Sequence, residues 1–230
     1  MRRQEWSGAI WLWGVLALLL SVDLYGDIGS IRREAGSYDT VDAPVEQQYI
    51  ALTFDDGPHP IYTELLLDGL KERGVRASFF LIGQNIQGNE AVVLRMKQDG
   101  HLIGNHSQNH VQLTGKNEEA VCRQITSTNQ QICQITGQQP IYIRPPFGSW
   151  NEELECMVPM TVALWDIDPL DWKVQDVNRI VSHVEEHAED GGIILLHDVY
   201  ETSVEAALEI VDRLSEKGYN FVTIDELLID

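Results

Sequence analysis

Apolar residues recur along this chain in two rhythms. Short runs rich in β-branched and aromatic residues occupy 50–54, 77–82, 101–104, 141–143, 161–165, 192–196 and 221–224, the lengths of buried strands. Between them, apolar positions return every three or four residues through 62–73, 89–98, 117–136, 177–188 and 204–217, the period of a helix with one buried face. Gly74 and Gly218 fall just past two of these stretches, where a left-handed stop suits glycine. Alternation of this kind predicts an α/β fold, a parallel sheet of apolar strands covered by helices. About seven such units predict a distorted (β/α) barrel, shorter than the usual eight-unit form, with its chemistry at the C-terminal ends of the strands.

The N-terminus follows neither rhythm. Arg2 and Arg3 precede an uncharged run from Trp6 to Val22, rich in Leu, Ala and Trp, that ends at Asp23. Residues 1–22 therefore predict a signal anchor with its N-terminus in the cytoplasm. A cleaved signal peptide is the rival, disfavoured because residues 21–26 offer no pair of small residues at a cleavage position. Residues 23–48 are polar and aperiodic and read as a linker, which leaves 49–230 as one domain. Either form exports that domain, to the outer face of the membrane or free of it.

Charge narrows the partners. The formal net charge is −20, from 36 acidic and 16 basic residues, so the surface repels phosphate backbones and nucleic acid is excluded as a partner. Membrane contact is expected through the N-terminal run alone, and no segment points to a protein partner. Cys122 and Cys133 fall on one predicted helix, roughly 16 Å apart and too far for a disulfide. Either could reach Cys156, but buried free thiols are the expectation. The absence of any CxxC pair argues against a thiolate metal site.

Five segments at the ends of predicted strands carry the candidate chemistry. In Thr53-Phe54-Asp55-Asp56-Gly57-Pro58, adjacent carboxylates resist ionising together unless a cation relieves them; alone, the segment could be an acidic turn. In His106-Ser107-Gln108-Asn109-His110, histidines four apart would share one face of a helical turn and could reach one metal ion. The glycosylation sequon Asn105-His106-Ser107 is read as coincidence. Arg144-Pro145-Pro146-Phe147-Gly148 is a rigid turn suited to presenting backbone N–H groups. The run from Asp166 to Trp172 sets carboxylates beside an aromatic wall, and Ile194-Leu195-Leu196-His197-Asp198 delivers a histidine at the tip of a buried strand.

In order and wording, TFDDGP, HSQNH, RPPFG, DPLDW and LLHD resemble the polysaccharide deacetylases with a NodB-type domain, the fourth carbohydrate esterase family, over about residues 49–230. The resemblance implies the following roles. Asp56, His106 and His110 would hold a divalent metal, usually zinc, with cobalt or another divalent ion as alternatives. Asp55 would be the general base, oriented by Arg144, and His197 the general acid, tuned by Asp171. The Phe147 backbone N–H would help hold the oxyanion; relatives often carry Tyr there, so any role for a phenol is lost. Trp172 and Leu195 would line the acetyl pocket.

These parts suit hydrolysis of an amide, which needs an activated water, a place for oxyanion charge and a proton for the leaving amine. Gly-x-Ser-x-Gly and Walker-type loops are absent, which excludes the usual acyl-enzyme and nucleotide-binding classes. The expected substrate is an extracellular polysaccharide, foremost the N-acetylglucosamine of peptidoglycan. N-acetylmuramic acid, chitin-type oligomers, an exopolysaccharide and O-acetylated xylan are the alternatives within the same chemistry. Outside it, the alternative is an inactive wall-binding module that kept the fold.

Overall fold

The computed structural model describes residues 47–150 and 159–228. The predicted anchor, residues 23–46 of the linker, and Cys156 lie outside them. Seven strands alternate with helices: β1 (Gln48–Asp55), α1 (Tyr62–Glu72), β2 (Ser78–Leu81), α2 (Gly83–Ile86), α3 (Glu90–Gln98), β3 (Leu102–Asn105), α4 (Glu118–Thr136), β4 (Tyr142–Ile143), a 3₁₀ turn (Pro146–Gly148), β5 (Thr161–Val162), α5 (Asp171–Val174), α6 (Val177–His187), β6 (Gly192–His197), α7 (Glu201–Glu216), β7 (Tyr219–Val222) and α8 (Ile224–Leu227).

Every strand pairing is parallel, in the order β5-β4-β3-β2-β1-β6. Strand β6 takes one edge of β1 along Ile50–Asp55. On the other edge β2 pairs with Thr53–Asp55 and β7 with Gln48–Ala51, so two strands share it end to end. The sheet curls until the segment after β5 meets β6: Ile167 bridges Ile194, and Leu195 N donates to the Ile167 carbonyl at 2.9 Å. This is the distorted barrel that the apolar rhythm predicts.

Strand period decides what goes inside. Along β1, Ile50, Leu52 and Phe54 join Phe79 and Leu81 of β2 in the large cluster beneath α1, α3, α6 and α7. Ala51 faces the other way, in a small cluster with Phe80, Tyr142, Ala163 and Ile224. Thr53 and Asp55 share the parity of Ala51, and the room beside these small residues is taken by Arg144, whose guanidinium lies 4.2 Å over the Phe80 ring.

The differences from the sequence reading have local causes. Strand β3 starts at Leu102 rather than 101, because the His101 ring turns inward and accepts the Ala77 N–H at 3.0 Å. Strand β5 stops at Val162 rather than 165, because the Ala163 and Leu164 carbonyls serve Arg144 instead of the ladder beyond it. Strand β7 ends at Val222, because Thr223 and Glu226 form a capping box that opens α8. Cys122 and Cys133 do share α4 as free thiols, but they are half-buried rather than buried, because they fall at the edge of the helix's core-facing side.

Helix α4 opens on Asn117, whose side chain accepts the Ala120 N–H at 2.8 Å. Asn117→Ala should cost about 1 kcal/mol by orphaning that donor. A lower urea midpoint with an unchanged slope would register it; an unchanged midpoint would mean water replaces the cap.

Candidate active site

Strand β1 carries Asp55 to its last, buried position, and the backbone then turns left-handed at Asp56, with φ of 74°. Asn85 Nδ2 holds the Asp56 carbonyl at 2.8 Å, and the Ile82 N–H holds the Gly57 carbonyl at 3.0 Å. The turn sends the two carboxylates to one cleft by different routes.

The two histidines arrive differently from expectation. Residues 106–110 form a bend, with positive φ at Ser107 (66°) and His110 (50°), rather than a helical turn. Asn105 sets that bend: its side chain accepts the Ser107 N–H at 2.6 Å and donates to the Ile125 carbonyl at 2.8 Å and to Asn129 at 2.6 Å. Asn105 is wholly buried, which removes it as a glycosylation acceptor. His106 Nδ1 lies 2.6 Å from the Arg144 carbonyl. A carbonyl can only accept, so Nδ1 carries a proton and Nε2 is the nitrogen left to face a cation. Burial lowers the His110 pKa, with the Asp56 charge opposing, and so favours a neutral ring.

These groups fit a cation. Asp56 Oδ1 stands 3.5 Å from both His106 Nε2 and His110 Nε2, and the three ligand atoms lie within 4.8 Å of one another. Bonds of about 2.1 Å in a tetrahedral zinc site give ligand–ligand edges of roughly 3.4 Å. Asp56 Oδ1 is also buried and takes no hydrogen bond from any described residue, an orphaned acceptor that a cation would satisfy.

Asp55 has another partner. Arg144 is fully buried and uses its whole fork: Nη1 reaches Asp55 Oδ1 at 2.9 Å and Thr53 Oγ1 at 2.7 Å, Nε the Ala163 carbonyl at 3.0 Å, and Nη2 the Leu164 carbonyl at 3.0 Å. Burial pulls the guanidinium pKa down, and Asp55 opposes it. Arg144 thus fixes the Asp55 carboxylate, as the resemblance implies, and ties β1 to the end of β5.

Across the cleft, His197 ends β6 and its Nδ1 meets Asp171 Oδ1 at 2.8 Å. The other Asp171 oxygen accepts the His197 N–H at 2.8 Å. Burial disfavours the charged ring, but the Asp171 hydrogen bond and charge, with Asp55 and Asp56 behind them, outweigh it and raise the His197 pKa to about 9. A cation on Asp56 would offset part of that rise. Next along the chain, Asp198 is fully buried; burial pushes its pKa up to about 7 against the Thr63 hydroxyl.

Asp55, Asp56, His106, His110 and His197 line a cavity of about 360 Å³, with Trp172, Leu195 and Phe147 beside them, while Arg144 and Asp171 support it from behind. Phe147 is 68% exposed, with φ of 61°, and its ring packs edge-on 4.7 Å from His110. Every predicted site residue therefore reaches one cleft or supports it. Trp165, Asp168, Leu170 and Tyr200, none of them a predicted site residue, complete the wall. No spacing marks Trp165 or Tyr200 as a cleft residue. Size does not pick the site: a larger cavity, about 500 Å³, opens at the other end of the strands around His101, Leu102 and Tyr142, without a converging set of ligands among the described residues.

The pattern of the polysaccharide deacetylase family matches residues 42–158. The peptidoglycan-N-acetylmuramic acid deacetylase PdaC of Bacillus subtilis is 39% identical over 212 residues, which are 90% of this chain and 45% of that protein. The peptidoglycan-N-acetylglucosamine deacetylase PgdA of Listeria monocytogenes is 38% identical over 178 residues, 77% of this chain and 38% of that protein. The chain thus spans less than half the length of either relative. The solved structure of peptidoglycan deacetylase PdaC from Bacillus subtilis superimposes with a TM-score of 0.77 at 43% identity, over 79% of this chain and 90% of that one.

Proposed function

Since the chain belongs to the polysaccharide deacetylase family, we propose that it is a metal-dependent hydrolase removing N-acetyl groups from peptidoglycan, with N-acetylglucosamine as its residue. One observation carries the reading: a three-ligand cluster, a carboxylate locked by a buried arginine and a carboxylate-paired histidine face one cleft.

Asp56, His106 and His110 would hold the ion, and two imidazoles with a carboxylate suit zinc, with cobalt acceptable to the same donors. When bound, such an ion supplies a Lewis acid that polarises a carbonyl and acidifies water. Asp55 takes the proton from the attacking water, and Arg144 keeps its carboxylate aimed. The Phe147 N–H donates to the acetyl oxygen as negative charge builds there. His197 hands its proton to the departing amine, and Asp171 steadies the charged ring until it does. Trp172 and Leu195 enclose the acetyl methyl. The products are acetate and a free amino sugar.

N-acetylmuramic acid is the second reading, favoured by the name of the Bacillus subtilis relative. Mass analysis of muropeptides before and after treatment tests both: loss of acetyl from glucosamine supports the first, loss from muramic acid the second. Intact muropeptides alongside deacetylated chitin-type oligomers, exopolysaccharide or xylan would overturn the peptidoglycan assignment. No turnover of any of them by metal-loaded protein would favour the inactive wall-binding module.

The uncharged run after Arg2 and Arg3 supports export, with residues 1–22 tethering the domain to the outer face of the membrane. Deleting residues 1–40 should release a soluble protein with unchanged turnover on soluble oligosaccharides. Lost folding or activity would refute the division into anchor and domain, and a mature N-terminus beyond residue 22 would replace the anchor with a cleaved signal.

A further inference from the structure

Asp56 Oδ1 takes no hydrogen bond from any described residue, so its place as a ligand depends on the backbone turn that carries it. Two clamps on that turn come from the Asn85 amide and the Ile82 N–H. A third involves residues with no part in the reaction as derived above. Asp198 leaves β6 directly after His197 and is fully buried. Its carboxylate lies so flat on Gly57 that a β-carbon there would stand 2.5 Å from both oxygens. Oδ2 accepts the Thr63 hydroxyl at 2.5 Å, and the Thr63 oxygen in turn accepts the His59 N–H at 2.8 Å. Asp198 Oδ1 has no hydrogen bond from any described residue.

We propose that Asp198 and Thr63 are positioning residues for the metal ligand Asp56. The chain Asp198–Thr63–His59 N–H closes the turn of residues 56–59 from behind, binding it to the end of β6 and the first turn of α1. Gly57 is needed because the carboxylate occupies the space of a side chain. A buried carboxylate with one side-chain donor costs stability that an apolar residue would not. What it provides is a fixed wall one residue from the ligand, on the strand that also carries His197. Asp56 and His197 then keep their spacing because one residue braces both their segments.

The inference rests on the metal-binding reading, so its test measures the metal directly. Demetallated full-length protein would be titrated with Zn²⁺ against a chromophoric chelator, for wild type, four single variants and one double variant. Thr63→Val and Asp198→Ala break the link and should each weaken Zn²⁺ binding by about 10–100-fold, the range for lost outer-shell partners. Thr63→Ser and Asp198→Asn retain a hydroxyl and an acceptor and should bind within about threefold of wild type. The Thr63→Val/Asp198→Ala double variant should bind no more weakly than the worse single one, since both cut one chain. At saturating Zn²⁺ the broken variants should recover most of their kcat. Wild-type affinity in a folded Thr63→Val protein would overturn the proposal, as would equal losses in the Ser and Val variants. Thr63→Val conserves volume and decides the matter alone if Asp198→Ala does not fold. A wild-type protein that binds no Zn²⁺ would overturn the metal reading and this inference with it.

Discussion

Asp55→Asn should lower turnover by about 10²–10⁴-fold while metal content stays at the wild-type level. Asp56→Asn should do the reverse first, losing metal, with part of the rate restored by excess ion. The two neighbours differ because β1 ends between them. Asp55 stays in the strand, buried, with Oδ1 on Arg144 at 2.9 Å and Oδ2 3.7 Å from His106 Nε2. Asp56 lies past the left-handed turn, its Oδ1 3.5 Å from both histidines. An amide at 55 can still accept from Arg144, so the geometry survives and the proton acceptor is lost. It also leaves a buried guanidinium without its counter-charge, and a one-sided deletion of that kind costs about 3–5 kcal/mol. Denaturation must therefore accompany the kinetics. Metal analysis beside turnover decides the assignment: metal lost from Asp55→Asn and kept by Asp56→Asn would exchange their roles, and mild, matching effects would return the segment to an acidic turn.

His197→Ala should remove a similar share of activity, about 10²–10⁴-fold, without releasing metal. Its Nδ1 is taken by Asp171 and it is not one of the three clustered ligands. The rate should also fall on the alkaline side as His197 loses its proton, with a midpoint above the ordinary 6.5 and up to about 9. Asp171→Asn removes the charge that holds the proton, so this limb should move down toward 6.5 as the maximum rate drops. The same shift has a stability sign. A pKa raised on folding contributes stability that is whole below 6.5 and fades as pH rises through about 9. Denaturation of wild type and His197→Ala at about pH 6 and pH 10 should therefore differ more at the lower pH. An alkaline limb that ignores Asp171→Asn, or near-normal turnover in His197→Ala, would assign the amine's proton to another donor.

The repeating units could be read from the order of residues, because burial on both faces of a parallel strand and on one face of a helix leaves periods that need no partner to be seen. That order also placed the five chemical segments at strand ends and, through the resemblance, the ligands and their neighbours. Boundaries escaped it where side chains compete with the ladder. His101 takes the N–H before β3, Arg144 takes the carbonyls that would have extended β5, and Thr223 with Glu226 ends β7 by opening a helix. The histidine pair shows the same limit: the spacing suggested a helical turn, but Asn105 and two positive φ values bring the rings together without one. Only the folded chain shows that Asp55 and Asp56 serve different partners, that Arg144 spans the interior from β1 to β5, and that Asp198, just past the end of β6, lies against Gly57. The reason is physical: a period reports which face a residue takes, whereas these contacts depend on which residues the closed sheet brings opposite one another.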